Sequence, residues 1–95
     1  MILVYADDLD DPISQATEAA LAAAFGRTLR RYRGRGGRTL ADLAEASGHD
    51  ADDIALLERG GRTVYLTDII YLTKALGADI EAFSDEVDRV LRTTN

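Results

Sequence analysis

His49, the only histidine, stands directly before Asp50, Asp52 and Asp53. An imidazole beside three carboxylates could move a proton, hold a cation or open a helix, and each chemistry demands particular neighbours. A calcium loop would need an oxygen ligand where Ile54 stands and a glycine one residue later, so the metal reading fails. His49 has no cysteine partner for zinc, and no serine is placed recognisably to complete a catalytic triad. The chain contains no cysteine, which excludes disulfides, thiolate metal sites and cysteine nucleophiles. No nucleophile, base and orienting group can be assembled, so no enzyme, metal or cofactor is expected. What remains for the triplet is electrostatic: carboxylates in a first helical turn complement the positive end of the helix dipole.

The opposite charge is concentrated elsewhere. Six of the eleven basic residues, Arg27, Arg30, Arg31, Arg33, Arg35 and Arg38, fall within twelve positions of a chain whose net charge is −6. The run Gly34-Arg35-Gly36-Gly37 lacks the lysine and the spacing of a phosphate-binding loop and reads as a turn. The acidic total argues against nucleic acid, whereas the basic belt, together with Arg59 and Arg62, argues for a surface that meets phosphates.

These residues must be positioned by helices. Asp11-Pro12 has the chemistry of a helix start, and Ile13, Leu21, Phe25, Leu29 and Tyr32 follow along one stripe until glycines end it. Thr39 can cap a second helix closed by Ser47-Gly48, and Asp50 a third stopped by Gly60-Gly61. Leu66, Ile69, Ile70, Leu72 and Leu76 predict a fourth, ended by Gly77. Ile80, Phe83, Val87, Val90 and Leu91 predict a fifth after Asp79. The apolar segment Ile2-Leu3-Val4-Tyr5 is a strand candidate only if something pairs with it. Acidic residues follow it where a signal peptide would not have them, and the longest apolar run, 19–25, is far short of the ~20 residues of a membrane span.

From Phe25 to Phe83 the chain resembles the Cro/CI (Xre) helix-turn-helix family. The resemblance rests on Thr39-Leu40-Ala41-Asp42-Leu43-Ala44, the turn Ser47-Gly48, then Ile54, Leu57-Glu58-Arg59-Gly60, Leu66, Leu72 and Ala75-Leu76-Gly77. It implies an all-α fold, a five-helix Cro/CI-like (lambda repressor-like) bundle, here with a short N-terminal strand or arm over 1–12. The helix-turn-helix domain would occupy 13–92, the pair itself 39–60, and 93–95 would be a tail. Ala44 would let two helices cross closely, with Ile54 and Leu57 anchoring the second helix of the pair on the core.

In that family the second helix of the pair lies in the major groove and the N-terminus of the first meets phosphates. The resemblance therefore implies a cytoplasmic transcription regulator binding double-stranded DNA. Its DNA face would comprise Arg38, Thr39, Leu40, Asp50, Ala51, Asp52, Asp53, Ala55, Leu56, Arg59 and Arg62. The chain departs from the pattern where Leu40 stands for a common glutamine and where acidic or apolar residues replace polar or basic ones after position 49. Those departures keep a second reading open, in which the acidic and apolar face of helix 3 docks on a protein. A homodimer is expected, its seam formed by Ile2, Leu3, Val4, Tyr5, Val87, Val90 and Leu91. If the face approaches DNA, Asp52→Asn and Asp53→Asn are both expected to tighten non-specific binding, since each removes repulsion from phosphates. If it docks on a basic protein patch, both should slow association, an effect that shrinks at high salt.

Overall fold

The structure, a computed structural model, describes residues 12–93, with side chains from residue 17 onward. The strand candidate Ile2-Leu3-Val4-Tyr5 and the cap candidate Asp11 lie outside the described residues, as does the 94–95 end of the tail. Within the described residues the chain forms five helices and no strand: α1 (Pro12–Arg35), α2 (Leu40–Ser47), α3 (Ala51–Glu58), α4 (Leu66–Leu76) and α5 (Ile80–Thr93). The all-α expectation holds.

The helix boundaries follow from local chemistry. Thr39 Oγ1 accepts from the Asp42 amide at 3.0 Å, and the Asp42 carboxylate accepts from the Thr39 amide at 3.0 Å, a reciprocal capping box that opens α2. Gly48 closes that helix with φ +79°, a left-handed conformation that side chains resist, and its amide reaches the Ala44 carbonyl. Asp50 occupies the N-cap position of α3 in an extended conformation, but its side chain makes no capping bond. That corrects the cap expected there.

Phe25, Leu29, Leu43, Ile54, Leu57, Leu72 and Phe83 form the centre of the core, joined by Val87 and Val90. Phe83 of α5 is gripped by two rings of α1: Phe25 meets it edge-on at 5.5 Å between centroids, and Tyr32 tilts against it at 5.0 Å. Burying these residues explains why α1 packs on both α5 and α3, while α2 packs on α3 and α4. Thr28 and Thr73 are also buried, and each hydroxyl donates to a carbonyl one turn earlier, Ala24 and Ile69.

Ala44 packs against the core as expected, but a tighter approach occurs at Gly26. There α1 crosses the C-terminal end of α3 so closely that a Cβ would lie 2.7 Å from the Glu58 carbonyl oxygen and closer still to that of Leu57. Both obstacles are backbone and cannot swing away. Gly26→Ala is therefore expected to destabilise the fold by roughly 1–3 kcal/mol, although alanine is the better helix former. Gly34→Ala supplies the contrast, since its Cβ would meet nothing within 4 Å, and it should stabilise by up to about 1 kcal/mol. Thermal unfolding followed by circular dichroism distinguishes them; shifts of the same sign would mean that the crossing imposes no constraint.

Candidate nucleic-acid interface

The interface is built on α3, whose inward residues Ile54 and Leu57 are fully buried. Outward, Asp52, Ala55, Leu56 and Arg59 follow at spacings of three, one and three, which places them along one stripe. Asp52 and Arg59 are exposed, whereas Ala55 and Leu56 are half-buried. The stripe is thus acidic at its start, apolar in the middle and basic at its end. Asp50, Ala51, Asp52, Asp53 and Leu56 line a shallow open depression beside the helix start.

Each end of α3 is held by an arginine fork. At the C-terminal end, Arg33 of α1 grips Glu58 with Nε and Nη2 at 2.6 and 3.0 Å, and its Nη1 donates to the Arg38 carbonyl. Near the N-terminal end, Arg62 in the α3–α4 loop grips Asp53 with Nε and Nη2 at 2.8 and 2.9 Å. The same guanidinium reaches Asp68 of α4 through Nη1 and Nη2 at 2.8 and 2.9 Å, and donates to the Thr63 carbonyl. Planar bidentate geometry of this kind fixes orientation as well as distance.

Asp68 is the hub of this second cluster and is buried. Besides Arg62 it takes a 2.8 Å contact from His49 Nε2 and a 2.8 Å bond from the Tyr65 amide. Burial pushes its carboxyl up, but the hydrogen bonds from Arg62, His49 and the Tyr65 backbone prevail and hold it at about 2, against an ordinary 3.8. Asp53 is also held low, chiefly by its hydrogen bond from Arg62, and the Arg62 guanidinium is correspondingly raised by Asp68 and Asp53.

The structure redistributes the residues expected on the DNA face. Thr39 is exposed at the start of α2, Leu40 packs against the core, and Arg38 is half-buried, with Nη1 donating to the Ala75 carbonyl. Asp50, Asp52 and Arg59 are exposed, and Ala51 is half-buried beside them. Arg62, expected on that face, is committed to two carboxylates and a carbonyl. The basic belt is likewise largely occupied: Arg31 pairs with Glu86, Arg33 with Glu58, and Arg35 lies over the Tyr32 ring. Arg27, Arg30 and Arg59 remain exposed without an ion pair among the described residues.

Val87 and Val90 are only 7% and 6% exposed and belong to the chain's own core, with Leu91 packed against it. Phe83, Val87 and Val90 form the stripe with which α5 covers α1, so these two valines, expected in a dimer seam, are used within the chain's own core. Exposed apolar side chains gather on α4 instead, as Tyr65, Leu66, Ile70 and Tyr71, with Ile80 at the start of α5. Sequence reasoning missed both arginine forks, whose partners are 25, nine and six residues apart. The one local signal was Asp68 three residues after Tyr65, in position to accept from the amide that opens α4.

Helix-turn-helix domains match residues 24–85 of the chain. Among solved structures it is similar to the clp gene regulator ClgR of Corynebacterium glutamicum, at 35% identity over 72% of this chain and 88% of that one, with a TM-score of 0.69. It is also similar to the restriction-modification controller protein C.AhdI of Aeromonas hydrophila, at 34% identity over 65% of this chain and 94% of that one, TM-score 0.62. The controller protein C.Esp1396I, at 22% identity, shares the fold, with a TM-score of 0.72 over 77% of this chain and 95% of that one. No curated protein matches the sequence.

The low Asp68 carboxyl has a consequence for stability. Because its folded value lies below the unfolded 3.8, the cluster stabilises fully above that pH and the contribution is lost as pH falls towards about 2. It is worth on the order of 2 kcal/mol at neutral pH. Asp68→Asn is expected to lower stability at pH 7 and to flatten its decline between pH 4 and 2, measured by urea unfolding. An unaltered pH profile would refute the role of this carboxylate.

Proposed function

The chain belongs to the helix-turn-helix domain family, and we propose that it is a small transcription regulator that binds operator DNA as a homodimer, with α3 in the major groove and the start of α2 at the phosphate backbone. The observation that carries this reading is the outward stripe of α3, held rigidly by an arginine fork at each end. A groove-reading helix has to arrive already oriented, because contacts to base edges depend on its angle. Likeness to ClgR and C.AhdI, described as a gene regulator and a controller protein, supports the same reading.

Phosphate contacts fall to Arg59 and Arg30. Arg30 lies one turn from Gly26, which abuts α3, and one turn from Arg33, which grips Glu58; it therefore shares the side of α1 that meets the end of α3, where Arg59 sits. On the stripe, Asp52 is the residue suited to accept from cytosine N4. Among the described residues no helix is long and apolar enough to cross a membrane, in keeping with a regulator working in the cytoplasm. The homodimer is supported by Leu66 and Ile70, exposed one turn apart on α4 with Tyr65 and Tyr71 beside them. A second copy bringing the same face would cover all four.

The alternative reading, docking of a protein on α3, is favoured by the acidic and apolar lining of the depression at Asp50, Asp52 and Leu56. Fluorescence anisotropy with mixed genomic DNA fragments across a salt series decides between them. Binding that falls steeply with salt is expected, and Arg59→Gln should weaken it for all sequences alike and lower the salt slope by about one. Absence of binding at 50 mM salt would overturn the DNA reading in favour of the protein partner. Light scattering at micromolar concentration should give twice 10.3 kDa, and Ile70→Asp should halve it; a monomer throughout would remove the dimer from the proposal.

A further inference from the structure

Asp52 and Asp53 are neighbours in sequence and carry the same charge, yet the structure gives them different surroundings. Asp52 is exposed and has no ion pair among the described residues, whereas Asp53 spends both carboxylate oxygens on the Arg62 fork. Through Arg62 the tie continues to Asp68, which is buried in α4 and held in addition by His49 from the α2–α3 turn. A chain of four side chains therefore runs from the turn through α4 and the loop to the first turn of α3.

Among the described residues no other side-chain tie holds that end of the helix. Asp50 makes no side-chain capping bond, and α3 has only eight residues, too few to persist by its own hydrogen bonds. Ile54 and Leu57 fix its depth in the core, but an apolar contact is non-directional and resists rotation about the helix axis weakly. The fork is directional.

We propose that Asp53 is a positioning residue for the recognition helix, held by Arg62 and Asp68, so that its neutralisation weakens non-specific DNA binding while neutralisation of its neighbour Asp52 strengthens it. This rests on the DNA reading for its second half, and it replaces the expectation from sequence that both substitutions act alike. Removing the Asp52 charge should tighten binding about threefold, the effect of one carboxylate about 5 to 7 Å from a phosphate. Asp53→Asn loses one arm of the fork and lets α3 leave its pose; if the pose is kept by roughly a tenth of molecules, binding weakens about tenfold.

The test combines two measurements on the full chain. Hydrogen exchange in the absence of DNA should show the α3 amides of Ile54 to Leu57 exchanging about tenfold faster in Asp53→Asn, with those of Leu29 and Leu72 unchanged. Asp52→Asn should leave all of them as they were. Anisotropy with mixed genomic fragments at 50 mM salt should then show opposite signs for the two variants. In an Arg62→Lys background the fork is already absent, because an ammonium is a point charge. There Asp53→Asn should tighten binding as Asp52→Asn does, a reversal that general loss of stability would not produce.

Unchanged α3 exchange, or tightening by Asp53→Asn in the unaltered background, overturns the proposal. Faster α3 exchange in a protein that binds no DNA at 50 mM salt upholds the positioning role and overturns the DNA reading instead.

Discussion

An eight-residue helix in water spends most of its backbone groups on its two ends and cannot hold its own shape. Here α3 has that length and yet carries the outward stripe proposed to face DNA. Its neighbours must therefore supply what its own ladder does not. Two residues bury its inner face, a glycine of α1 receives its C-terminal carbonyls, and an arginine fork closes on a carboxylate near each end. Beyond its own buried face these contacts come from α1 and the α3–α4 loop, so the pose of α3 is a property of the bundle. Removing Arg62 would leave buried Asp68 with only His49 and the Tyr65 amide as partners, a loss on the order of 2 kcal/mol.

That constraint explains how an acidic protein with ten arginines distributes its charge. Arginine suits the task because its fork binds a carboxylate in one plane, which a lysine would not. Arg33 and Arg62 are used to brace α3, and Arg31 joins α1 to α5 through Glu86. Much of the basic belt is thereby paired within the fold, and among the described residues Arg27, Arg30 and Arg59 are left exposed without an ion pair. With few free cations on the DNA side, specificity depends more on shape and on the orientation of α3. Rigid support for the helix and a weakly basic surface are two sides of one arrangement.

The apolar surface follows the same logic of what is already committed. The α5 stripe is used to cover Phe25 and Tyr32, and among the described residues the large apolar side chains facing outward gather on α4, with Ile80 at the start of α5. A monomer of this size can expose a few such residues without consequence, but their collection on one helix is the mark of a contact surface.

Local chemistry was legible in the residues themselves. The five helices, the Thr39 cap, the left-handed glycine at 48 and the glycine stop at 77, and the core through Phe25, Leu29, Leu43, Ile54, Leu57, Leu72 and Phe83 follow from periodicity and capping rules that act within a few residues. The helix-turn-helix resemblance rested on such short-range spacings too. The tertiary structure decided which charges are free. Arg62 and Asp53 could face DNA by their position in the sequence, and Val87 and Val90 could face a partner. Their fates depend on Asp68, His49 and Phe83, which come near only once helices distant in sequence have packed. An ion pair or a buried face is selected by the geometry of that packing, and no periodicity along a single helix encodes it.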